Sequence, residues 1–372
     1  APSRGLGDVY KRQILVKRRN YGIDLLRIVA MYMIVLYHCL LLGGVINKAT
    51  QIGIGSINYD ISWLLDTLCY CAVNCYALIS GYVGVKSKFK LQNIIKLWFQ
   101  VLFYSVVLNI IIWVTIPNVP INKGLLIQML MPISFERYWY FSAYFILFAF
   151  MPFLNLLLNK LDKSMATKLL ITLILVCSFG ETFIFRAKTF LSLQSGYSAP
   201  WLIILYLIGG YIKLYGWKFW KHDRTVYFSM AILSFAVFLL LGGEQSHGRV
   251  LINYPAPTML FMGIALLNIF SKLSLNSRII QGVKLFAPLT FGVYLIHIHP
   301  FVAEYLFKDR FADIALNSPV MFIGKIIIFS LCIYLVCSII ELVRAKLFKL
   351  LKLNVLADAI AAYIQRHFEK LI

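Results

Sequence analysis

Arg27 and His38 are the two side chains whose chemical types and spacing point most directly to a reaction. They lie 11 residues apart in the apolar stretch 23–45, which on a helix is three turns to within ~20° and a rise of roughly 16 Å. They would therefore project from one face at different depths. Arginine keeps its charge and binds phosphates through a bidentate fork, whereas a neutral histidine accepts a proton from a hydroxyl near neutral pH. The pair suits a phosphate-bearing donor and a nucleophile activated farther along the same helix.

A structural explanation of the same residues stands beside this one. Asp24 precedes Arg27 by three positions, so the two side chains can form an ion pair that anchors the helix start, while His38 makes a hydrogen bond in the core. For an arbitrary membrane helix, the structural explanation is the more common. Ionisable groups inside a membrane are costly, however, and each is by default a functional hypothesis.

The amino-acid composition indicates whether the chain lies in water or in a membrane. Hydrophobic residues make up 61% of the 372 residues and charged residues 14%, and the mean hydropathy is +0.80. This balance excludes an ordinary water-soluble domain and predicts an integral membrane protein. The formal charge of +21 does not indicate nucleic-acid binding, because the cations lie in short clusters between apolar runs. The seven cysteines lie within apolar runs, so we expect neither disulfides nor a metal site.

Ten apolar segments meet or approach the ~20 residues that a membrane-spanning helix needs. They predict an all-α, polytopic membrane protein with spans at 23–45, 57–80, 92–116, 137–158, 169–186, 199–215, 225–243, 256–272, 285–305 and 319–343. With the N-terminus inside, 26 of the 36 Lys and Arg residues lie on the inner side, nine lie on the outer side, and Arg27 lies within a span. Because cations are retained in the cytoplasm during insertion, we predict that both termini are cytoplasmic.

The two ends of the chain differ from the membrane domain, which we assign to residues 14–345. Residues 1–13 share no pattern with the rest of the chain and are expected to be a non-native or disordered leader. Residues 346–372 are first cationic and then apolar at helical spacing, which predicts a cytoplasmic amphipathic helix at the membrane surface.

Lysines after the second span are further candidates for donor binding. Lys86, Lys88 and Lys90 could attract phosphates as point charges. The topology rule by itself also places lysines on this side of the membrane.

Candidates for acceptor binding lie near the predicted outer ends of the fourth and ninth spans. Glu136 next to Trp139 would suit a bound sugar, although an interfacial aromatic belt also explains the ring. His297 and His299 are a second proton-handling pair, ligands of the acceptor, or structural hydrogen-bonding groups.

Two polar residues in the second span have a structural interpretation. We expect Asp66 and Asn74 to form hydrogen bonds between helices.

Four stretches, in order along the chain, resemble the acyltransferase-3 family of bacterial integral membrane O-acyltransferases. The first is Asp-Leu-Leu-Arg at 24–27 followed by His38, and the second is Ser-Gly-Tyr at 80–82. The third contains Trp139, Ser142, Tyr144, Pro152 and Asn155, and the fourth is Tyr-Leu-Ile-His at 294–297. The resemblance covers residues 21–345. One departure is that an Arg-x-x-Arg pair found after the second or third span in some members is replaced here by the three lysines.

The resemblance implies transfer of an acyl group, usually acetyl, from cytoplasmic acyl-CoA to a hydroxyl of a cell-envelope or exported carbohydrate. By the same resemblance, His38 would be the general base, Arg27 would hold or orient the donor, and Tyr144 would lie in the substrate site. It also implies a multi-pass protein of the bacterial cytoplasmic membrane. A separate extracytoplasmic transferase is a candidate partner.

A transporter or flippase for a sugar, glycan-lipid or small anion is the alternative, since it too would need about ten spans and a few intramembrane charges. Many transporters carry matched pairs of Gly- or Pro-interrupted helices in corresponding halves. The sequence contains no such pair, which favours the enzyme.

Overall fold

Polar residues between the apolar segments determine where several helices begin. Asn20, Ser56, Asp162, Ser198 and Asn276 each accept a hydrogen bond from the backbone amide three residues later. Each cap satisfies one of the amides that a helix start leaves without an intrahelical partner.

The computed structural model describes residues 19–119, 122–184, 191–245 and 247–368. The predicted leader therefore lies outside the described residues. Within the described part the chain forms helices and no strand, which confirms the all-α prediction. The helices are α1 Tyr21–Leu41, α2 Val45–Ile52, α3 Ile57–Tyr70, α4 Ala72–Gly84, α5 Leu91–Thr115, α6 Lys123–Leu130, α7 Trp139–Lys160, α8 Lys163–Ile174, α9 Ala199–Tyr215, α10 Asp223–Leu240, α11 Pro257–Ser271, α12 Ser277–Phe286, α13 Thr290–His297, α14 Pro319–Leu350 and α15 Leu353–Phe368. Two π-helical stretches cover Leu175–Ile184 and Val302–Phe307.

Among the described residues, eight helical stretches are long and apolar enough to cross a membrane. They correspond to eight of the ten predicted spans. The other two predicted spans are α9 and α11, which have 17 and 15 residues. Both are buried along most of their length, so they contact protein rather than lipid and do not need the full bilayer length. The predicted count of ten is therefore approximate.

Helix α1 lies at the centre of the bundle. It packs against α3, α4, α11, α12, α13 and α14, and 67% of its most apolar window is buried. At the periphery, the corresponding windows of Lys163–Ile184 and α10 are only 17% buried. Of the ionisable residues of α1, Asp24 is buried, whereas Arg27 and His38 are partly exposed.

The helix bundle has two ends, which we name after the residues of α1 that lie nearest to them. The Arg27 end is where α1 begins and α4 ends, and the His38 end is where α1 ends and α3 begins. Helix α11 also ends at the Arg27 end, where Asn20 donates a hydrogen bond to the carbonyl of Ser271 at 2.8 Å.

A buried carboxylate that the sequence analysis missed joins three helices. Glu341 in α14 is 1% exposed. It accepts hydrogen bonds from Gln100 Nε2 at 3.1 Å and Tyr104 Oη at 2.7 Å, and it pairs with Arg344. Gly292 in α13 leaves room for the carboxylate, which would collide with a Cβ there. Its charge is fully partnered, so it can stabilise the packing of α5, α13 and α14.

The two polar residues of the second predicted span behave differently. Asn74 accepts a hydrogen bond from Trp201 Nε1 at 3.0 Å and donates to the Tyr254 carbonyl at 2.8 Å, which confirms the prediction for it. The prediction for Asp66 is wrong for the part of the chain that the structure describes, because both of its buried carboxylate oxygens lack a hydrogen-bond partner there. The arginine in this region, Arg249, lies over neighbouring aromatic rings instead.

The C-terminal region is helical, as predicted. Helix α14 runs through the predicted boundary at 345/346 to Leu350, and a separate helix, α15, follows. Helix α15 packs against α5, where Lys96 pairs with Asp358 at 2.7 Å.

Glycines permit the close packing of α4 against α9, and this can be tested. A Cβ at Gly81 would collide with the backbone carbonyl of Tyr206, so we expect Gly81→Ala to lower the free energy of unfolding by about 1–3 kcal/mol. The measurement is the apparent melting temperature of the purified protein in detergent. Gly282→Ala is the control, because a Cβ there meets nothing within 4 Å and alanine favours a helix. Equal melting temperatures of the two variants would contradict the proposed close packing.

Candidate active site

His38, in the last turn of α1, meets His297, the last residue of α13. Nδ1 of His38 lies 2.9 Å from Nε2 of His297, although the two residues are 259 positions apart. His297 is 1% exposed, whereas His38 is partly exposed. The structure thus brings together two histidines that the sequence analysis treated separately.

The hydrogen bonds determine which ring nitrogens carry protons. Nδ1 of His297 lies 2.6 Å from the carbonyl oxygen of Val293. Because a carbonyl only accepts hydrogen bonds, this nitrogen is the donor, and Nε2 of a neutral His297 must accept. Nδ1 of His38 then donates to it, which leaves Nε2 of His38 unprotonated. His38 is therefore set up as a base at its Nε2 atom.

Arg27 lies in a partly exposed cluster with net positive charge. Its guanidinium pairs with Asp24, and the same carboxylate accepts a hydrogen bond from Arg19 Nε at 2.5 Å. Asp24 is thus shared by two arginines, and 29% of the Arg27 side chain remains exposed. The expected anchoring ion pair is present. Two cations against one carboxylate still leave a charge that can bind an anion.

A tyrosine row, formed by Tyr76, Tyr140 and Tyr294, connects the two parts of the site. Tyr76 Oη donates to the carbonyl of Arg27 at 2.7 Å. The Tyr76 and Tyr140 rings are 6.3 Å apart and the Tyr140 and Tyr294 rings 6.2 Å apart, centroid to centroid. Tyr294 lies one helical turn before His297. Among the described residues, the buried hydroxyls of Tyr140 and Tyr294 have no hydrogen-bond partner, so they can bind polar groups of a substrate.

Two predicted substrate residues of α7 lie on different sides of this row. Tyr144 stacks on Tyr140 at 6.4 Å, and its phenol lies near Ser80 and within electrostatic reach of Arg27. Trp139 instead contacts Tyr197 at 4.6 Å. Tyr144 therefore belongs with Arg27, and Trp139 lies toward another group of rings.

Glu136 lies just before α7, apart from these ring contacts. It is exposed and has a positive φ of 48°. Its predicted role in substrate binding stays a prediction.

The three lysines are exposed in the loop after α4, at the Arg27 end of the bundle. Lys86, Lys88 and Lys90 therefore share an end with Arg27, as a role in attracting a donor requires. That role stays a prediction.

His299 takes part in a different hydrogen-bond network. Its Nδ1 accepts from the backbone amide of Phe301 at 3.2 Å, and its Nε2 lies 3.3 Å from Asn109 Nδ2. Arg137 donates to the same asparagine at 3.2 Å. His299 is thus buried next to the end of α13, and its predicted contact with a substrate stays a prediction.

A large cavity that was not predicted from the sequence lies at the His38 end. It has a volume of about 1,040 Å³, and its lining includes Tyr37, Tyr70, Glu181, Tyr197 and Arg249. The sequence carries one signal for it. That signal is the intramembrane Asp66, which lies one helical turn before Tyr70.

Comparison with known proteins supplies one match. The family model described as an acyltransferase domain matches residues 20–342, which is most of the chain. No curated protein and no solved structure matches.

The tautomer of His38 can be measured by nitrogen-15 NMR of histidine-labelled protein in lipid nanodiscs. We expect His38 to be protonated at Nδ1 and bare at Nε2, and we expect His297→Ala to remove this preference because the acceptor is lost. The exposed His222 provides the control variant, since His222→Ala should leave the His38 signals unchanged. A wild-type His38 protonated at Nε2 would refute the arrangement.

Proposed function

The chain belongs to the acyltransferase-3 family, whose model it matches over residues 20–342, and we propose that it transfers an acyl group from acyl-CoA to a hydroxyl of a carbohydrate. The simplest acyl group is acetyl, and the acceptor is a cell-envelope or exported glycan. Family membership and the eight helical stretches in the described residues that are long enough to cross a membrane make the chain a multi-pass membrane acyltransferase.

The observation that carries the proposal is the hydrogen-bond chain from the Val293 carbonyl through His297 to His38. It leaves Nε2 of His38 free to take a proton from an acceptor hydroxyl. His297 is the positioning residue, because it sets the tautomer and holds the ring of His38 in place.

The donor is proposed to bind at the Arg27 end. The net charge of the Arg27 cluster favours the phosphates of CoA, and Lys86, Lys88 and Lys90 would raise the local concentration of the anion. The tyrosine row would then lie beside the extended arm of CoA. The amide groups of this arm could form hydrogen bonds with the hydroxyls of Tyr140 and Tyr294, which have no partner among the described residues. This arrangement places the thioester near His38.

In the proposed reaction, Nε2 of His38 takes the acceptor's hydroxyl proton as the oxygen attacks the thioester carbonyl carbon. The new C–O bond forms, the C–S bond breaks, and the CoA thiolate recovers the proton from His38. The products are the acylated sugar and free CoA. A positioned base of this kind contributes typically ~10²–10⁴ in rate.

The proposed orientation has the Arg27 end and both termini in the cytoplasm, and the distribution of cations along the chain supports it. The membrane would be the bacterial cytoplasmic membrane. Acyl-CoA would approach from inside, and the acceptor from the His38 end.

Release of CoA by purified protein in nanodiscs, supplied with acetyl-CoA and a glycan mixture, tests the role of His38. We expect wild type to release CoA in a glycan-dependent manner and His38→Ala to do so ~10²–10⁴ times more slowly. Wild-type activity no higher than that of His38→Ala would refute the proposal. Glycan uptake into proteoliposomes without CoA would favour a transporter instead.

Binding of acetyl-CoA, measured by calorimetry, separates the role of Arg27 from that of His38. We expect Arg27→Ala to weaken binding at least about tenfold through loss of a charge-assisted contact, and His38→Ala to bind like wild type. Arg278→Ala is the matched control, because this exposed arginine opens α12 at the same end of the bundle. Equal losses in Arg27→Ala and Arg278→Ala would contradict a specific donor contact.

A further inference from the structure

The cavity at the His38 end lies beside the turn of α1 that carries the proposed base, although His38 is not one of its lining residues. Tyr37, the residue before His38, and Leu41, one turn after it, both line the cavity. The ring of Tyr37 lies 5.1 Å from the ring of His38, centroid to centroid. A molecule in the cavity is therefore separated from the histidine pair by little more than one side chain.

Aromatic rings form one wall of the cavity. Tyr37 and Tyr70 meet edge to face at 5.6 Å, Tyr70 stacks on Tyr254 at 4.7 Å, and Tyr197 lies 5.0 Å from Tyr254. Tyr37, Tyr70 and Tyr197 line the cavity directly. Tyrosine combines an apolar face with a hydroxyl, which suits a ligand that is itself apolar on its C–H face and polar at its edge.

Polar groups without a partner among the described residues also line the cavity. Glu181 Oε2 and Thr182 Oγ1 are buried and have no hydrogen-bond partner in the described part of the chain, and both residues belong to the cavity lining. They lie in the π-helical stretch Leu175–Ile184, a conformation that is frequent at functional sites. A carboxylate oxygen and a hydroxyl are suitable partners for the hydroxyl groups of a ligand.

Arg249 supplies donors to the cavity from a fixed position. Its guanidinium lies over the rings of Trp63 at 5.1 Å and Tyr70 at 5.6 Å, and Glu244 lies 3.8 Å away. Asp66 lies between the two rings along α3, on the same helical face. Burial opposes the charge on Arg249, but Asp66 and the surrounding phenols raise its pKa above the usual value. The guanidinium is therefore charged, and Glu244 is its ion-pair partner.

The described cavity lining includes one carboxylate, Glu181, and one guanidinium, Arg249, and the two differ in how they are paired. Arg249 has an ion-pair partner in Glu244 at 3.8 Å, whereas Oε2 of Glu181 has no hydrogen-bond partner among the described residues. A ligand with a carboxylate or phosphate would be repelled by Glu181. A neutral ligand rich in hydroxyls would find acceptors at Glu181 and Thr182 and donors at Arg249.

We infer that this cavity is the acceptor site, and that the acceptor it takes is an uncharged sugar unit. The inference rests on the proposed function and adds the substrate class to it. Glu181 and Tyr197 are specificity-determining residues. The sugar lies against Tyr70 and Tyr197 and presents one hydroxyl toward His38.

Matched pairs of glycosides test the charge of the acceptor. The protein in nanodiscs is supplied with acetyl-CoA and, in separate reactions, with the methyl glycosides of glucose, galactose and mannose or with the corresponding methyl uronides. Each uronide differs from its neutral glycoside by a carboxylate at carbon 6. At least one neutral glycoside should be acetylated with a kcat/KM about tenfold or more above that of its uronide. Equal or better use of the uronides would overturn the inference. The inference would also be overturned if protein that binds acetyl-CoA acetylated none of the six glycosides.

Variants test the location of the site. Glu181→Gln should reduce the ratio of kcat/KM for the neutral glycoside to kcat/KM for its uronide. Tyr197→Ala should raise the KM for the glycoside about tenfold through loss of a ring contact. The KM for acetyl-CoA should stay unchanged in both variants. Glu304→Gln is the matched control, because Glu304 is an exposed glutamate in the other π-helical stretch and does not line the cavity. Unchanged discrimination in Glu181→Gln would overturn the inference.

Different results would refute the proposed acyltransferase function and the inference about the acceptor. A wild type that binds no acetyl-CoA would refute the proposed function and this inference with it. A wild type that binds acetyl-CoA through Arg27, and loses transfer in His38→Ala, but does not discriminate between neutral and acidic sugars would refute only the acceptor inference.

Discussion

The hydrogen bond from His297 Nδ1 to the carbonyl of Val293 is the interaction on which the chemistry of the site depends. In the interior of a membrane protein, bulk water cannot replace a lost partner, so this bond determines the proton positions of both histidines. It makes His297 Nε2 an acceptor, His38 Nδ1 a donor and His38 Nε2 a base. Helices α1 and α13 must pack closely enough to hold the two rings 2.9 Å apart.

Buried polar groups divide into two kinds according to whether the protein satisfies them. Asp24 and Glu341 are partnered by arginines and other donors, and these groups stabilise the bundle because burying an unpaired charge is costly. In the part of the chain that the structure describes, the hydroxyls of Tyr140 and Tyr294, Oε2 of Glu181 and both carboxylate oxygens of Asp66 are unpartnered. Apart from Asp66, which lies behind Arg249, these groups border the proposed route of the donor and the proposed acceptor site. The unpartnered atoms of Tyr140, Tyr294 and Glu181 thus lie where substrate contacts are expected.

Much of the fold could be predicted because the bilayer imposes simple rules on length and hydropathy. The predicted spans at 199–215 and 256–272 coincide closely with α9 and α11, yet these helices are too short to count as full spans. Hydropathy does not distinguish a helix surrounded by protein from one surrounded by lipid, since both are apolar. The close approach of α4 to α9 at Gly81 depends on which helices become neighbours, and neighbours are not encoded in any local pattern.

The sequence by itself determined that the chain spans a membrane, that Arg27 and His38 share a face of the first helix, and that the family motifs occur in order. These properties follow from composition and from helical periodicity, which are local. Only the tertiary structure decided that His297 rather than His299 meets His38, that Tyr76, Tyr140 and Tyr294 form a row, and that Arg249 and Glu181 border one cavity. Each of these contacts joins residues far apart in the chain. They arise when helices exclude lipid from between them and bring their polar side chains together.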